Sequence, residues 1–432
     1  QQQLAGAVDA MAAKGLRVLG VARASFVGED WPAIEHDFAF EFVGLLGLAD
    51  PLRAEIPEAV RQAYEAGIRV VMITGDYPAT AAAIAKQAGL RGAAVTKAAT
   101  GATADLTTHD TSAADWLLTG DALTALTDEA LQQRIRTVSI CARIAPAQKL
   151  RIVQALKANG SVVAMTGDGV NDAPALKAAH VGVAMGGRGT DVAREAASIV
   201  LLDDNFASIV GAVRLGRRIF DNLRKSMSYI LAVHVPIAGM ALVPVLLGWP
   251  TVLFPLHIAF LELVIDPACS MVFENEPAEA DAMQRPPRDV TTPLFGGKTL
   301  LLALVQGLGA LALVLAATVW GAGQLTEGAA RAFAFATLVC TNMALIFSNR
   351  SRTGSFWASL WVPNRTLWLV VAAALGLLLV ALYVPWLARL FMFEQLALPY
   401  LASAVGLGLA SLGWFELVKP RAPAAGGAPS PG

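Results

Sequence analysis

The chain has 432 residues, of which 55% are hydrophobic and 16% are charged. Ordinary soluble domains carry about 25% charged residues, so this composition excludes a single soluble domain and predicts membrane-spanning segments. The formal net charge of −1 argues against a nucleic-acid partner, and three widely spaced cysteines support neither a disulfide framework nor a thiolate metal site.

The amino-terminal stretch predicts a helix over 4–14, a strand over 16–24 and a second apolar strand over 38–48. It begins with three glutamines and shows neither an initiating Met nor a signal peptide, so we expect the chain to continue a longer protein. Pro51 follows the second strand, fixes its own φ and biases Asp50 towards an extended conformation. A switch between two domains is therefore expected at these residues.

A small polar loop, Thr74-Gly75-Asp76, follows a predicted strand over 68–73 and precedes a helix that begins at Pro78. A strand, a short polar loop and a helix in this order are typical of sites that bind phosphate. The Thr74 hydroxyl can also donate a hydrogen bond to a phosphoryl oxygen. A threonine turn without a ligand is the alternative interpretation.

Two basic side chains lie around the next predicted strand-to-helix turn. Arg143 follows a strand over 137–142, and Lys149 lies in a helix that begins near Pro146. Both can converge on one phosphate, Arg143 as a fork and Lys149 as a point charge, or they can simply lie along a helix surface. Residues 96–122, before this strand, are rich in Ala, Thr, Asp and Gly without a period and predict a surface loop.

The stretch TGDGVNDAPALK over 166–177 is the most specific signal in the sequence. The apolar run over 161–165 predicts a buried parallel strand that ends there, where α/β sheets place ligands. Asp168 and Asp172 on such a loop suit a hard cation such as Mg²⁺ held against a phosphate. A helix cap at Asp172 is the alternative, but it explains neither Asp168 nor the flanking glycines.

The chain becomes apolar after a predicted helix over 206–226, which follows two short strands over 181–185 and 198–202. Six apolar segments, each near the roughly 20 residues that span a bilayer, lie at about 227–247, 252–273, 298–320, 330–348, 366–386 and 399–418. The distribution of Lys and Arg among the loops predicts that the amino-terminal part is cytoplasmic.

Two carboxylates lie inside the second apolar segment. Glu262 and Asp266 are four residues apart and share one helix face, where a carboxylate costs roughly 2.5–3.5 kcal/mol. Pro267 lacks an N–H and frees the Leu263 carbonyl as a further oxygen ligand. With His234 of the first segment, these groups are candidate ligands of a transported cation. Protonated carboxyls that join helices, and an interhelical hydrogen bond of His234, are the alternatives.

The string TGDGVNDAPALKAA resembles the hinge motif of P-type cation-transporting ATPases, whose phosphorylation domain belongs to the haloacid-dehalogenase-like superfamily. The string ARIAPAQK, the TGD after the third strand and the DPLR at Asp50 are similar to further motifs of that family. The resemblance implies an α/β Rossmann-like phosphorylation domain, lacking its nucleophile strand, followed by an all-α membrane domain of six transmembrane helices.

The resemblance also implies ATP and Mg²⁺ as cofactors and a role for each matching residue. The implied catalytic and Mg²⁺-binding residues are Asp168 for Mg²⁺, Asp172 and Asn171 at the phosphoryl and Mg²⁺ site, and Thr74 and Lys149 for the transferring charge. The implied nucleotide or domain contacts are Arg17, Gly75, Asp76 and Arg143.

In the membrane segments the resemblance is partial. Asp266 matches the acidic ion ligand of the family's sixth membrane helix, and Glu262 takes a position that is usually Asn. The first segment has His234 and Ile237 where calcium pumps carry Asn and Glu. We therefore expect one divalent cation per cycle, with calcium first and manganese or magnesium after it.

The motifs DKTGT, TGES and PEGL of this family do not occur in the sequence. The resemblance therefore covers about the carboxyl half of a pump. Because the nucleophile strand is central to such sheets, we expect unpaired strand edges and no ATP hydrolysis by this polypeptide alone.

The predicted organisation is the end of a nucleotide-binding domain over 1–36, a phosphorylation domain over 37–222, a six-helix membrane domain over 223–420 and a disordered tail over 421–432. The expected partners are ATP, the transported cation, the lipid bilayer and the missing amino-terminal portion, in a plasma membrane. A heavy-metal pump is disfavoured by six spans and scattered cysteines. A haloacid-dehalogenase-like membrane phosphatase or regulatory protein without transport is the alternative function.

Overall fold

The structure is a computed structural model that describes residues 2–26, 31–90, 116–289, 291, 293, 296–351 and 360–419. The chain divides into two compact units, here called the amino-terminal unit (residues 1–213 with 283–287) and the membrane unit (residues 214–282 with 288–432). The predicted tail over 421–432 and residues 96–115 of the predicted surface loop lie outside the described residues.

The amino-terminal unit contains short strands between helices. Its strands are β1 (Arg17–Arg23), β2 (Glu41–Leu48), β3 (Met72–Ile73), β4 (Leu117–Thr119), β5 (Ile140–Ala142), β6 (Ala164–Gly167), β7 (Val181–Met185) and β8 (Ile199–Leu201). Its helices are α1 (Gln2–Ala12), α2 (Ile56–Glu65), α3 (Pro78–Gln87), α4 (Gly120–Thr124), α5 (Asp128–Arg134), α6 (Pro146–Ala158), α7 (Ala173–Ala178) and α8 (Asp191–Ala196), with 3-10 turns at Glu35–Asp37 and Val170–Asp172.

These strands form three sheets. β1 and β2 are antiparallel, whereas β3-β5-β4 and β6-β7-β8 are two parallel sheets of three strands. Parallel strands place their carboxyl ends at the same edge of a sheet, which gathers the loops that follow them.

The two parallel sheets share helix α6 and strand β3. Ile152 of α6 lies in the core of the β3-β5-β4 sheet, and Val153 lies in the core of the β6-β7-β8 sheet. Ile73 of β3 packs against both cores. Cys141 of β5 is fully buried, and this burial raises the pKa of its thiol to about 12.

Several predicted elements of this unit differ from the structure in their bounds. The strand predicted over 161–165 is Ala164–Gly167, and the strand predicted over 137–142 is Ile140–Ala142. The prediction of a loop up to residue 122 was wrong at its end, because β4 and the first residues of α4 lie there. A strand of three residues is too short to show an alternating pattern of apolar and polar residues. Only its pairing with β5 defines it. The strand predicted over 68–73 is shorter in the structure and covers Met72–Ile73, because only these two residues pair with β5.

The membrane unit is helical. Its helices are α9 (Phe206–Leu246, which begins in the amino-terminal unit), α10 (Pro255–Pro267), a π-helix (Ala268–Phe273), α11 (Gly297–Gln324), α12 (Glu327–Asn349), α13 (Arg365–Tyr383), α14 (Pro385–Leu390) and α15 (Leu398–Val418). Six helices are long and apolar enough to span a membrane, with α10 and the π-helix counted as one, which confirms the predicted number in the described part of the chain. The fifth predicted segment ends earlier than expected, at Tyr383, because Pro385 starts α14.

Helix α12 lies at the centre of this unit, with 89% of its apolar stretch buried. Gly408 of α15 allows its backbone to approach Cys340 of α12, since a Cβ at Gly408 would lie 2.6 Å from the Cys340 Cβ. At the end of α12, the buried Arg350 Nη2 donates to Glu276 Oε1 at 3.0 Å. Asn364 Nδ2 donates to the other carboxylate oxygen of Glu276 at 2.8 Å. Three chain segments are thereby joined by one buried ion pair.

Candidate functional site

The loop after β3 is closed by its own side chains. Thr74 Oγ1 donates to Asp76 Oδ2 at 2.8 Å and accepts from the Asp76 N–H at 3.1 Å. The Thr74 N–H donates to the Cys141 carbonyl at 2.9 Å, which holds the loop against β5. Gly75 has no atom within 4 Å of the position a Cβ would take, so space is open beside the loop.

The loop after β6 is organised around Asp172, which is 5% exposed. Its Oδ2 accepts from the N–H groups of Asp168 at 3.3 Å and Gly169 at 3.2 Å. A Cβ at Gly167 would lie 2.5 Å from the Asp172 Cβ, so only glycine fits there. Asp172 therefore shapes the loop, and the side chains of Asp168 and Asn171 remain exposed at its surface.

Lys149 reaches this loop from the first turns of α6. Its Nζ lies 2.6 Å from Asp172 Oδ1, and the two side chains are 19% and 8% exposed. A partly buried ammonium group is held beside the carboxyl end of β6 by this contact. An ammonium group in this position suits an interaction with a phosphate, and Asp172 fixes the position of the Lys149 ammonium.

Arg143 lies at the carboxyl end of β5, beside the Thr74 loop. Its N–H donates to the Asp76 carbonyl at 3.0 Å, and the next N–H, of Ile144, donates to the Thr74 carbonyl at 3.0 Å. Its side chain is exposed. The structure therefore brings Arg143 to the loop that carries three of the other predicted site residues, Thr74, Gly75 and Asp76.

The predicted site residues of the amino-terminal unit, apart from one, lie in two contacting sets. Thr74, Gly75, Asp76 and Arg143 lie at the loop after β3, and Lys149, Asp168, Asn171 and Asp172 lie at the loop after β6. The two sets together are here called the phosphate-loop cluster. Arg17 lies instead on the separate β1–β2 sheet, opposite Leu48, with an exposed side chain. The contact of Arg17 with nucleotide thus stays a prediction.

The Thr74 and Asp168 loops of the phosphate-loop cluster follow two edge strands, β3 and β6. Among the described residues, β3 pairs with β5 only and β6 pairs with β7 only. Ile73 of β3 nevertheless packs against the core under β6. The strands that precede the Thr74 and Asp168 loops are thus both edge strands of their sheets in the described part of the chain, and they share one packed core.

The predicted membrane carboxylates lie on the less buried side of α10. Glu262 is partly exposed and Asp266 is exposed, whereas Leu261 and Ile265 are buried. The π-helix begins directly after Pro267, and such interruptions are frequent at functional sites.

His234 of α9 faces one of these carboxylates. Its Nε2 lies 3.6 Å from Glu262 Oε1, while its Nδ1 is 2.8 Å from the Ile230 carbonyl and donates to it. No group of three His, Cys, Asp or Glu side chains that could hold a metal ion is found in the described residues. A cation at this site therefore needs ligands besides these side chains.

Sequence reasoning missed Gln148 and Gly120, which contact the Arg143 turn. Gln148 Nε2 donates to the Gly120 carbonyl at 2.8 Å, and Gln148 Oε1 accepts from the Ala145 N–H at 2.8 Å. The signal that points to Gly120 is a repeated triplet, because Thr119-Gly120-Asp121 matches the TGD at Thr74 and the TGD at 166–168.

Two family models match the chain. A haloacid dehalogenase-like hydrolase model matches residues 6–180, and a model of the carboxyl terminus of cation-transporting ATPases matches residues 250–421. The first range contains the whole phosphate-loop cluster. The second contains Glu262 and Asp266.

Several curated relatives are pumps by name. A calcium-transporting ATPase of Bacillus subtilis is 36% identical over 386 residues, which are 88% of this chain and 41% of the relative. Another from Listeria monocytogenes is 34% identical over 89% of this chain and 41% of the relative. A probable cation-transporting ATPase F of Mycobacterium bovis is 38% identical over 85% of this chain and 39% of the relative. The chain thus spans about two fifths of the length of these relatives.

Proposed function

Since the chain belongs to the P-type cation-transporting ATPases and corresponds to their carboxyl-terminal portion, we propose that the full-length protein is an ATP-driven pump with an aspartyl-phosphate intermediate. It moves a divalent cation, calcium first, across a plasma membrane, with the amino-terminal unit in the cytoplasm. The names of the relatives support transport over the alternative of a membrane phosphatase or regulatory protein.

The observation that carries this proposal is that β3 and β6 each pair with one strand among the described residues, while Ile73 of β3 packs against the core under β6. We place the strand that bears the phosphorylated aspartate of the full-length protein between β3 and β6. A parallel strand there would pair with both free edges and would end between the Thr74 loop and the Asp168 loop. Its carboxylate would then meet the groups that phosphoryl transfer needs, which are hydrogen-bond donors and positive charge.

We assign roles within the phosphate-loop cluster as follows. Lys149 offers its ammonium group to the transferring phosphoryl oxygens, and Thr74 offers its O–H once this group turns from Asp76 to the phosphate. Asp168 has an exposed carboxylate at the strand end, which fits Mg²⁺ because this ion takes one or two carboxylates plus phosphate and water. Mg²⁺ bound there supplies positive charge to the phosphate. Asp172 is committed to Lys149 and to two N–H groups, so we assign it to positioning.

Nucleotide binding completes the proposed site in the amino-terminal unit. Arg143 and Asp76 are joined by a backbone hydrogen bond, and the exposed guanidinium of Arg143 is available to the nucleotide. Asn171 is exposed beside Asp168 and Gly75 borders open space, which suits a close approach of phosphate to the backbone. Arg17 contributes from the nucleotide-binding portion.

Asp168→Asn in the full-length protein tests the catalytic part of the proposal. We expect the phosphoenzyme formed from MgATP to fall at least about a hundredfold, because an amide oxygen is a poorer ligand for a hard cation than a carboxylate. Asp37→Asn is the matched control, since Asp37 is exposed and lies in a separate 3-10 turn. Normal phosphoenzyme levels in Asp168→Asn at ordinary Mg²⁺ would overturn the assignment.

Transport is proposed to depend on Glu262 and Asp266 together. A divalent cation neutralises both carboxylates at once, and the freed carbonyl before Pro267 adds an oxygen ligand. His234, 3.6 Å from Glu262, supplies a softer ligand that favours manganese among the alternatives.

The single variants Glu262→Gln and Asp266→Asn are expected to raise the cation concentration that half-saturates phosphorylation by about tenfold or more. Glu274→Gln, at an exposed position after the π-helix, serves as the control. If both variants keep the cation dependence of the parent protein, the two carboxyls join helices and the transport site lies elsewhere.

A further inference from the structure

The turn after β5 has an unusual backbone conformation. Arg143 has a φ of +53°, in the left-handed region that favours glycine, and only Asp204 and Met392 share this property among the described non-glycine residues. An arginine in this conformation persists only where the surrounding structure imposes it. Such positions cluster where a side chain must be presented at a fixed angle.

The turn is held on one side by the Thr74 loop. Two successive N–H groups, of Arg143 and Ile144, donate to the carbonyls of Asp76 and Thr74, both at 3.0 Å. These bonds fix the backbone of the turn but leave the side chain of Arg143 exposed.

The turn is held on the other side by Gln148. Its Nε2 donates to the Gly120 carbonyl and to Thr124 Oγ1, both at 2.8 Å, and its Oε1 accepts from the Ala145 N–H at 2.8 Å. A Cβ at Gly120 would lie 2.1 Å from the Arg143 carbonyl oxygen, so glycine is required for this approach. One amide group therefore joins α6, the end of β4 and the turn.

We propose that Gln148, acting with Gly120 and Thr124, is a positioning residue that holds the Arg143 turn so that its guanidinium engages the nucleotide. This inference rests on the proposed function of Arg143. Gln148 and Lys149 are neighbours in the first turns of α6. Gln148 contacts Gly120 beside the Arg143 turn, and Lys149 contacts Asp172 in the loop after β6.

A helix cap is the simpler role of Gln148, since its Oε1 bonds to the N-cap N–H of Ala145. The two roles use different atoms of the same amide. Gln148→Glu keeps an oxygen for the Ala145 N–H and replaces the donor that faces the Gly120 carbonyl with an acceptor. The cap survives this change, and the brace to Gly120 is lost.

In the full-length protein, Gln148→Glu is expected to raise the ATP concentration that half-saturates phosphoenzyme formation by about five- to tenfold. Phosphorylation by inorganic phosphate, which uses no nucleotide, is expected to change by less than about twofold. It also reports whether the variant is folded. Gln154→Glu, an exposed glutamine on the same helix, is the matched control and should match the parent protein.

Coupling to Arg143 separates positioning from general loss of structure. In an Arg143→Ala background, Gln148→Glu is expected to change the half-saturating ATP concentration by less than about twofold, because the side chain it positions is gone. Thr124→Val, at an exposed position, removes the hydroxyl that accepts one hydrogen bond from the Gln148 amide. This variant should raise the half-saturating ATP concentration about twofold when Arg143 is present and should have no such effect in the Arg143→Ala background.

The outcomes are distinguishable. An equal effect of Gln148→Glu with and without Arg143, or a parallel loss of phosphorylation by inorganic phosphate, would overturn the inference alone. An unmodified full-length protein that forms no phosphoenzyme from MgATP would overturn the proposed function and this inference with it.

Discussion

The two parallel sheets of the amino-terminal unit and the α12 region of the membrane unit differ in how completely they are packed. β3 and β6 each have one described strand partner, and the β1–β2 sheet exposes apolar side chains such as Phe42 and Val43 on both faces. Helix α12 is surrounded by other helices of the chain along 89% of its apolar stretch. Among the described residues, the edge strands β3 and β6 are therefore less completely packed than the helix α12.

The same contrast runs through the membrane unit. α10 leaves Glu262 and Asp266 on its less buried side, and α12 leaves almost no exposed surface. Carboxylates in a bilayer require hydration, a cation or a partner helix. The candidate site residues thus lie beside edge strands in one unit and on the less buried side of α10 in the other, and three predictions test this comparison.

The largest expected effect is a complete loss of function in the chain by itself. The 432-residue chain expressed alone should form no phosphoenzyme from MgATP, because the family's DKTGT motif, which carries the proposed aspartate, does not occur in the sequence. It should still insert in membranes and resist extraction by alkali, because its six apolar helices are retained. Labelling with radioactive ATP, with the full-length protein as the positive control, measures this. Phosphorylation of the chain alone would show that its nucleophile lies within these residues.

The second largest effect is expected when the buried ion pair of the membrane unit is broken. Glu276→Ala should lower the free energy of unfolding in detergent by about 3–5 kcal/mol, because it leaves the fully buried Arg350 without its carboxylate partner. Glu274→Ala, at an exposed neighbouring position, should change it by less than about 0.5 kcal/mol. Equal effects of the two substitutions in denaturant titrations would contradict the view that this end of α12 is tightly packed.

The smallest expected effect concerns the contact between α12 and α15. Gly408→Ala should destabilise the protein by about 1–3 kcal/mol, since the added Cβ would meet Cys340 at 2.6 Å. Gly406→Ala on the same helix has nothing within 4 Å and should be neutral or slightly stabilising, because alanine favours helix. Thermal unfolding of the two variants in the same detergent compares them. The idea fails if Gly408→Ala is as stable as Gly406→Ala.

The sequence predicts the residues of the phosphate-loop cluster from signals that are local. A glycine-flanked carboxylate after an apolar run, as at Asp168, is visible within ten residues, and so is the polar loop at Thr74. The roles inside the cluster were less accessible. The Mg²⁺ role of Asp172 stays a prediction, and the structure adds that its oxygens contact Lys149 and two N–H groups.

The elements that sequence reasoning missed depend on partners far away in the chain. β4 has only three residues and is defined by its pairing with β5. Gln148 has no local signature apart from its place before Lys149, and its contact with Gly120 joins residues that are 28 positions apart. Arg350 and Glu276 are separated by 74 positions.

The sequence by itself determined the order of the chain: phosphate loops at strand ends, then six membrane-spanning helices with two carboxylates on one helix face. These features follow from glycine, proline and carboxylate chemistry and from the length of apolar segments, all of which act within a few turns of chain. Only the tertiary structure decided which carboxylate shapes a loop and which stays exposed, which glutamine braces Arg143, and which strands keep a free edge. Those properties depend on which distant residues fill the space around each group, and no local pattern encodes that.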